Sequence, residues 1–511
     1  MASSTAFFQR PRGDITTVLD LTDRDSQDNT YFPLDTDASW FHRESHQIVH
    51  PTSMCIQEFP QRGPAEWGAK CTFELNSLNV GDLLQSAILQ IQLGSWYNGT
   101  VLKRLYAGEI TSQVSQEQYW TYANSLGTSI VEYAELIVGD QTVERITGEF
   151  IRVFYNLYAD VNSLTGISVD AIGAVPVAQL GVNQGLATLL SARRPYPTED
   201  GVLFCALPFF FLRTRLKEVF PLLSCNEGQV RIDVKLRPFE EVVRRVVGWR
   251  TGCDQTPLDT AVTFQLTDGS ATPVPTTTLT QPPAFRDFRL VTCAALLTGS
   301  VRNMYLREPF EQMVKFVQTF HFDEPLKYVV SKGSSNVDTV DIQLPLELNH
   351  PVLELLWVFR RNAVGINNEW ANFGPAVEYE VGTAAQRAFP AWLEHATLRV
   401  NGSEVISAEG DWFREHIASH HRGGFVSYAA SVYGYSFALK PEEHSPSGTG
   451  NMSRASSVSL RLRVRTPIAL PLPAGAGFDA VTTGGWEVFV FAVHYNWLRF
   501  QNGMCGRVFS E

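Results

Sequence analysis

LIVGDQTVERITGEFIR, residues Leu136–Arg152, returns later in the chain as LRVNGSEVISAEGDWFR, residues Leu398–Arg414, and the two align without a gap. One fixed offset pairs Leu136 with Leu398, Val138 with Val400, Val143 with Val405, Gly148 with Gly410 and Arg152 with Arg414. Background residue frequencies would supply roughly one identity over such a length. Chemistry persists at three further positions, Glu149/Asp411, Phe150/Trp412 and Ile151/Phe413. In each copy apolar runs flank a two-residue turn, Gly139-Asp140 or Asn401-Gly402, of the kind that closes a hairpin because its residues tolerate positive φ. The Gly-acid-aromatic-apolar run that follows opens a short helix, which Phe154 and Leu157 continue at helical spacing in the first copy. A period this long marks a duplicated domain, since solenoid units are far shorter.

Length and composition agree. A chain of 511 residues has room for two to four domains, each with its own core. It carries 32 Phe, 16 Tyr and 11 Trp but only 18% charged residues, and its many short Val/Ile/Thr-rich runs are broken by Gly and Pro. That pattern favours strands. In the first half they are expected near 71–75, 86–93, 201–211, 230–236 and 288–297. In the second they are expected near 315–322, 340–348, 352–359, 435–439, 460–464 and 487–495. With about eight strands per half, the expected fold is all-β: two tandem jelly-roll β-sandwiches with short helices and long surface loops. The expected division is an extended N-terminal arm at 1–50, a first jelly roll at 51–300, a connecting helix at 301–314 and a second jelly roll at 315–511. Long loops at 94–128, 162–200 and 361–392 are expected to cap the outer end of the strands.

Charge excludes one class of partner. The net charge is −12, and the first fifty residues hold four Arg and no Lys against seven Asp and one Glu. Gripping a phosphate backbone takes clustered Lys and Arg, so no direct nucleic-acid binding is expected. Arg244-Arg245 with Arg250, the densest basic spot, reads as a solvated strand end. The N-terminus lacks the continuous apolar core of a signal peptide and no run reaches membrane-spanning length, so the chain is expected in the cytosol. Seven cysteines without a C-x-x-C suit buried thiols in a reducing compartment.

A longer motif follows the second copy. Tyr435-Ser436-Phe437-Ala438-Leu439-Lys440-Pro441-Glu442, then Pro446-Ser447-Gly448 and Asn451-Met452-Ser453-Arg454, closely resembles the signature of the major capsid proteins of nucleocytoplasmic large DNA viruses. Further likeness lies in Asn349-His350-Pro351-Val352, in Leu207-Pro208-Phe209-Phe210 and in the ending Tyr495-Asn496-Trp497-Leu498-Arg499. The match departs at Ser445, Ala455 and Cys505, none of which breaks a core face. The resemblance implies a double jelly roll whose homotrimer makes a pseudo-hexagonal capsomer of an icosahedral capsid over an internal membrane. It also implies minor capsid and penton proteins as partners and assembly in the host cytoplasm. Pro441 and Pro446 with Gly448 and Gly450 then make a segment that cannot continue a sheet, Asn451 to Arg454 offer polar groups to its loop backbone, and Pro446, Gly448, Asn451 and Arg454 read as a structural corner.

Other candidate sites are weaker. Asn98, Asn401 and Asn451 begin glycosylation sequons, but Asn401 sits in a tight turn and no secretory signal is seen, so these read as chance matches. His42, His46 and His50 share a helical spacing without a carboxylate or Cys to complete a metal set. His416, His420 and His421 form the cluster that a cupin-like enzyme would need on strands, but here they stand beside a helix. No G-x-S-x-G, P-loop or H-E-x-x-H stands out, so no catalytic residue, cofactor or metal is assigned. The alternative to a capsid protein is a carbohydrate-binding, lectin-like or cupin-like β-sandwich.

Overall fold

The computed structural model describes residues 52–63, 65–93, 118–123, 125–158, 202–213, 218–247, 250–251, 264–265, 271–272, 284–332, 339–362, 364, 370, 372–374, 391–421, 432–465 and 486–509. The arm at 1–50, residues 94–117, the excursion at 162–200 and most of 361–392 lie outside them.

Among the described residues two equivalent sets of strands carry the architecture. The first is β1 (Thr52–Pro60), β2 (Lys70–Leu75), β3 (Leu83–Leu93), β4 (Val131–Val138), β5 (Gln141–Thr147), β6 (Val202–Ala206), β7 (Val230–Leu236) and β8 (Phe285–Leu297). They pair, always antiparallel, in the orders β1-β8-β3-β6 and β2-β7-β4-β5. The second is β9 (Phe310–Phe322), β10 (Thr339–Leu346), β11 (Pro351–Arg361), β12 (Leu393–Val400), β13 (Ser403–Glu409), β14 (Val432–Ser436), β15 (Val458–Arg465) and β16 (Trp486–Gln501). Their orders are β9-β16-β11-β14 and β10-β15-β12-β13. Each set is the two-sheet strand order of a jelly roll, and the second repeats the first strand for strand.

Alternation explains most of these strands. In β7 the side chains of Val230, Ile232, Val234 and Leu236 are buried while Arg231 and Lys235 are half-exposed, and β15 alternates in the same way. Strand β11 breaks the rule, being buried from Val352 to Arg361. A strand apolar throughout must be covered on both faces. Leu355, Trp357 and Phe359 face the core of the second sandwich. Leu356 and Val358 join a cluster shared with the first sandwich.

The repeated stretches fold alike in detail. Each is a hairpin, with Gly139 at φ 60 in one and Asn401 and Gly402 at φ 53 and 80 in the other. Both hairpins carry a β-bulge at the same place: the register slips between Leu136 and Ile137, leaving Val143 unpaired, and between Leu398 and Arg399, leaving Val405 unpaired. Helix α1 (Gly148–Leu157) follows the first hairpin, α2 (Gly299–Arg307) connects the two strand sets, and α3 (Gly410–His420) follows the second hairpin. A Cβ on Gly148 would stand 2.4 Å from the Val131 carbonyl oxygen, and one on Gly410 would stand 2.1 Å from that of Leu393. Val131 and Leu393 are themselves equivalent residues, so one close approach accounts for both glycines.

Some expectations need correction. The helix expected over 301–314 ends at Arg307, because Phe310 to Val314 already pair with Phe500 to Asn496 on β16. Within the loop expected over 94–128, Gln118–Tyr122 forms a strand against Val243–Val247 and Leu126–Ser129 a helical turn. The strand expected over 201–211 ends at Ala206, and Phe210–Arg213 turns into a short helix beyond Pro208. The strand expected over 435–439 runs instead at Val432–Ser436.

Gly148→Ala and Gly410→Ala are each expected to destabilise the fold by about 1–3 kcal/mol through forced backbone shifts. Gly299→Ala, with nothing within 4 Å of its Cβ, is expected to leave stability unchanged or slightly higher. Denaturant midpoints of the three variants check this.

Candidate functional site

Helix α1 packs on its own hairpin with one side and against the outer face of β11 and β16 with the other. The Phe150 ring centroid is 5.4 Å from that of Phe491, and Phe150, Phe154 and Leu157 share one buried cluster with Leu356, Val358 and Phe489. A second aromatic seam sets Phe210 5.8 Å from Phe316 and Phe220 6.1 Å from Phe500.

Ion pairs cross the same junction. Glu149 sits in the first turn of α1, where the helix dipole favours an acid. It accepts from Arg360 Nη1 at 2.6 Å and from Arg237 Nη2 at 3.2 Å. Arg360 Nε also donates to Glu487 at 2.5 Å, and His321 Nε2 lies 2.6 Å from the second oxygen of that carboxylate. Trp370 covers the group, with the Arg237 guanidinium 3.8 Å from its ring centroid. Burial by itself would push the Glu149 carboxyl up, but the charges of Arg360 and Arg237 outweigh it and hold it below the usual carboxylate range. Removing one partner of such a buried pair costs about 3–5 kcal/mol, so the network fixes how the halves meet.

A second polar group stands further along the face. Glu354, 1% exposed in the middle of the apolar β11 run, lies 2.9 Å from His421 Nε2 and accepts from the Tyr158 hydroxyl at the end of α1. His421 Nδ1 lies 3.2 Å from Glu442. Burial by itself would lower the imidazole's pKa, but the two carboxylates reverse this and hold it at about 9. Burial likewise would raise Glu354, but His421 and Tyr158 leave it below its ordinary value.

The stretch from Lys440 to Arg454 is anchored from both halves. Buried Lys315 donates to the carbonyls of Pro441 at 2.8 Å and Glu443 at 2.5 Å, and His444 Nδ1 lies 2.9 Å from Glu218. Gly448 has φ 149, and a Cβ there would stand 2.5 Å from the Phe437 carbonyl oxygen. Asn451 pairs opposite Pro351, and the Ser453 hydroxyl accepts from the His350 amide at 2.8 Å. Pro446 and Arg454 are exposed.

The remaining candidates disperse. Asn98 and His42, His46 and His50 lie outside the described residues. The Asn401 side-chain oxygen accepts from the amides of Ser456 and Ser457 at 2.7 and 3.3 Å. His416 and His420 lie on α3 with ring centroids 4.4 Å apart, while His421 turns into the junction. Among the described residues no group of three or more His, Cys, Asp or Glu is placed to hold a metal ion. Burial pushes the thiols of Cys71 and Cys205 up to about 11 and 12, which keeps them protonated and unreactive. The backbone of Arg244, Arg245 and Arg250 is in strands, with the side chains outside the described residues. Sequence reasoning missed Glu149, Arg360, Glu487 and Lys315. A signal existed for Glu354, a lone carboxylate inside an apolar run that must find a partner.

Two family models match. One, described as large eukaryotic DNA virus major capsid protein, spans residues 302–506, and another, described as major capsid protein N-terminus, spans 39–276. The major capsid protein of Pyramimonas orientalis virus is 22% identical over 439 aligned positions, covering 81% of this chain and 84% of its own length. That of Phaeocystis pouchetii virus is 23% identical over 559, covering 90% and 94%. Among solved structures, PBCV-1 VP54 superposes with TM-score 0.61 at 17% identity over 92% of this chain and 100% of its own, and the Faustovirus major capsid protein with TM-score 0.59 at 13% over 96% and 98%. At these identities the superpositions speak for the fold.

The junction sets a pH window. His421, with its pKa raised from 6.5 to about 9, contributes stability that is fully present below pH 6.5 and is lost as pH rises through about 9. Glu354, with its pKa lowered, contributes through the same contact at neutral pH and loses that contribution in acid. The thermal midpoint of the wild type is therefore expected to fall more steeply from pH 7 to pH 10 than that of His421→Gln; parallel curves would contradict the assignment.

Proposed function

The chain belongs to the major capsid protein family of large eukaryotic DNA viruses, and from that premise we propose that it works as a homotrimer whose six sandwiches close into a pseudo-hexagonal capsomer. As a major capsid protein its task is structural, and it assembles with copies of itself into the capsid of the virion. The observation that carries the trimer is the strand-for-strand equivalence of the two sandwiches. Three chains then present six like modules, and a near six-fold outline lets identical blocks tile an icosahedral lattice. Exposed apolar side chains such as Met54, Ile56, Trp412 and Trp497 suit obligate contacts, which commonly bury upward of about 2,000 Å².

The finer reading follows the same logic. The chain divides into an arm at 1–50, a first jelly roll from 51 to the helix, a connecting helix at Gly299–Arg307 and a second jelly roll from Phe310 onward. The acidic arm reaches neighbouring capsomers and minor capsid proteins, with penton proteins at the vertices and an internal membrane beneath the shell, and assembly takes place in the host cytoplasm. Loops 94–117 and 162–200 crown the outer end, while 361–392 reaches the junction at Trp370. Pro446, Gly448, Asn451 and Arg454 act as a structural corner, a reading supported by the crowding at Gly448 and the Lys315 anchor. The chain carries no enzymatic activity, and its sequons are chance matches.

Native mass spectrometry and negative-stain imaging test this. The expected particle has the mass of three 57.0-kDa chains and a hexagonal base. A monomer or dimer at micromolar concentration would contradict the trimer. Deleting residues 1–30 is expected to leave trimers that no longer tile.

A further inference from the structure

The duplication offers a template for a contact that a single chain leaves open. In α1 the residues Phe150, Val153, Phe154 and Leu157 recur at helical spacing, and all four are buried in the cluster that α1 shares with the second sandwich. Their equivalents in α3 are Trp412, Glu415, His416 and Ser419. These are not buried: Trp412 is 40% exposed, Glu415 and Ser419 are exposed and His416 is half-buried. The other side of α3 is occupied as in α1, with Gly410, Phe413 and Ile417 in the interior. So the helix face that meets the other sandwich in the first copy meets, among the described residues of the second, only its own strand β14, through Trp412 stacked on His416 and His416 on Tyr435.

The surface that would fill it is also on the molecule. Helix α1 rests on the outer face of β11 and β16, where Leu356 pairs with Phe491 and Arg360 with Glu487. In the first sandwich the equivalent strands β3 and β8 pair Ile88 with Val291 and Gln92 with Asp287. That outer face continues onto β1, where Met54 is 52% exposed and Ile56 67% exposed. It also carries one cation, Arg289, which bridges Glu58 and lies 2.5 Å from Asp287. Asp411 of α3, the counterpart of Glu149, lies 3.1 Å from Arg414 and keeps its side chain 70% exposed at the rim of the Trp412 face.

A chain cannot satisfy this second junction itself, because its first sandwich already receives the second through α1. We propose that the Trp412 face of α3 docks on the outer face of the β1-β8-β3-β6 sheet of a second copy of this chain, reproducing between subunits the junction that α1 makes within one. The inference rests on the trimer reading and names its contact. The difference in composition follows from the difference in role: an internal face can be wholly apolar, whereas a face exposed until assembly keeps polar groups around one aromatic anchor.

The test uses the full chain. Trp412→Ala and Ile56→Asp, both at exposed positions, are expected to keep the wild-type thermal midpoint and to weaken trimer association by more than about 30-fold in analytical ultracentrifugation. In parallel, a photo-crosslinking benzoylphenylalanine at position 412 is expected to link to peptides within 52–60 or 285–297 of another subunit, identified by mixing isotopically light and heavy chains. A wild type that is not trimeric would overturn the trimer reading, and this contact with it. A trimeric wild type whose two variants also remain trimeric, or whose cross-links run only elsewhere, would overturn this inference alone. Should a variant lose its fold, the cross-link decides.

Discussion

Strand β11 has no solvent face, and the rest of the architecture follows from that. One side of Pro351–Arg361 completes the core of its own sandwich, and the other must be covered by something else. Helix α1 is what covers it. Two sandwiches are therefore fused through an apolar seam with Glu149, Arg360 and Glu354 set into it. Burying those charges stabilises little in itself. Their worth is that a slipped junction would strand them, so they select one relative placement of the halves.

The duplication explains which features recur and which diverge. A bulge at Val143 and Val405 and a glycine at the helix start recur because they are conditions of the hairpin-to-helix corner itself. Side chains that face away from that corner diverged with their surroundings. Val143 is buried and Val405 exposed; Phe150 is buried and Trp412 is not. In the first copy those side chains join the core that α1 shares with the second sandwich, and in the second they do not.

Much of this was legible beforehand because it rests on local rules. The Asn401-Gly402 turn, the alternation of Val230 to Leu236 and the gapless repeat each depend on near neighbours. Boundaries were less legible. The run from Phe310 to Val314 is compatible with a helix by spacing and becomes a strand only through its pairing with β16. The junction was less legible still: Glu149 and Arg360 are 211 residues apart, and nothing in either neighbourhood names the other. His421 was visible as part of a histidine cluster but its partner, the buried Glu354 carboxylate, was not.

Native-state hydrogen exchange followed by mass spectrometry tests the fused junction most directly. If the seam makes the two sandwiches one cooperative unit, amides of α1 and β11 will exchange together, at the slowest rate in the protein, and only through global opening. Fast exchange in α1 beside full protection in β11, or separate opening of the two strand sets, would contradict it.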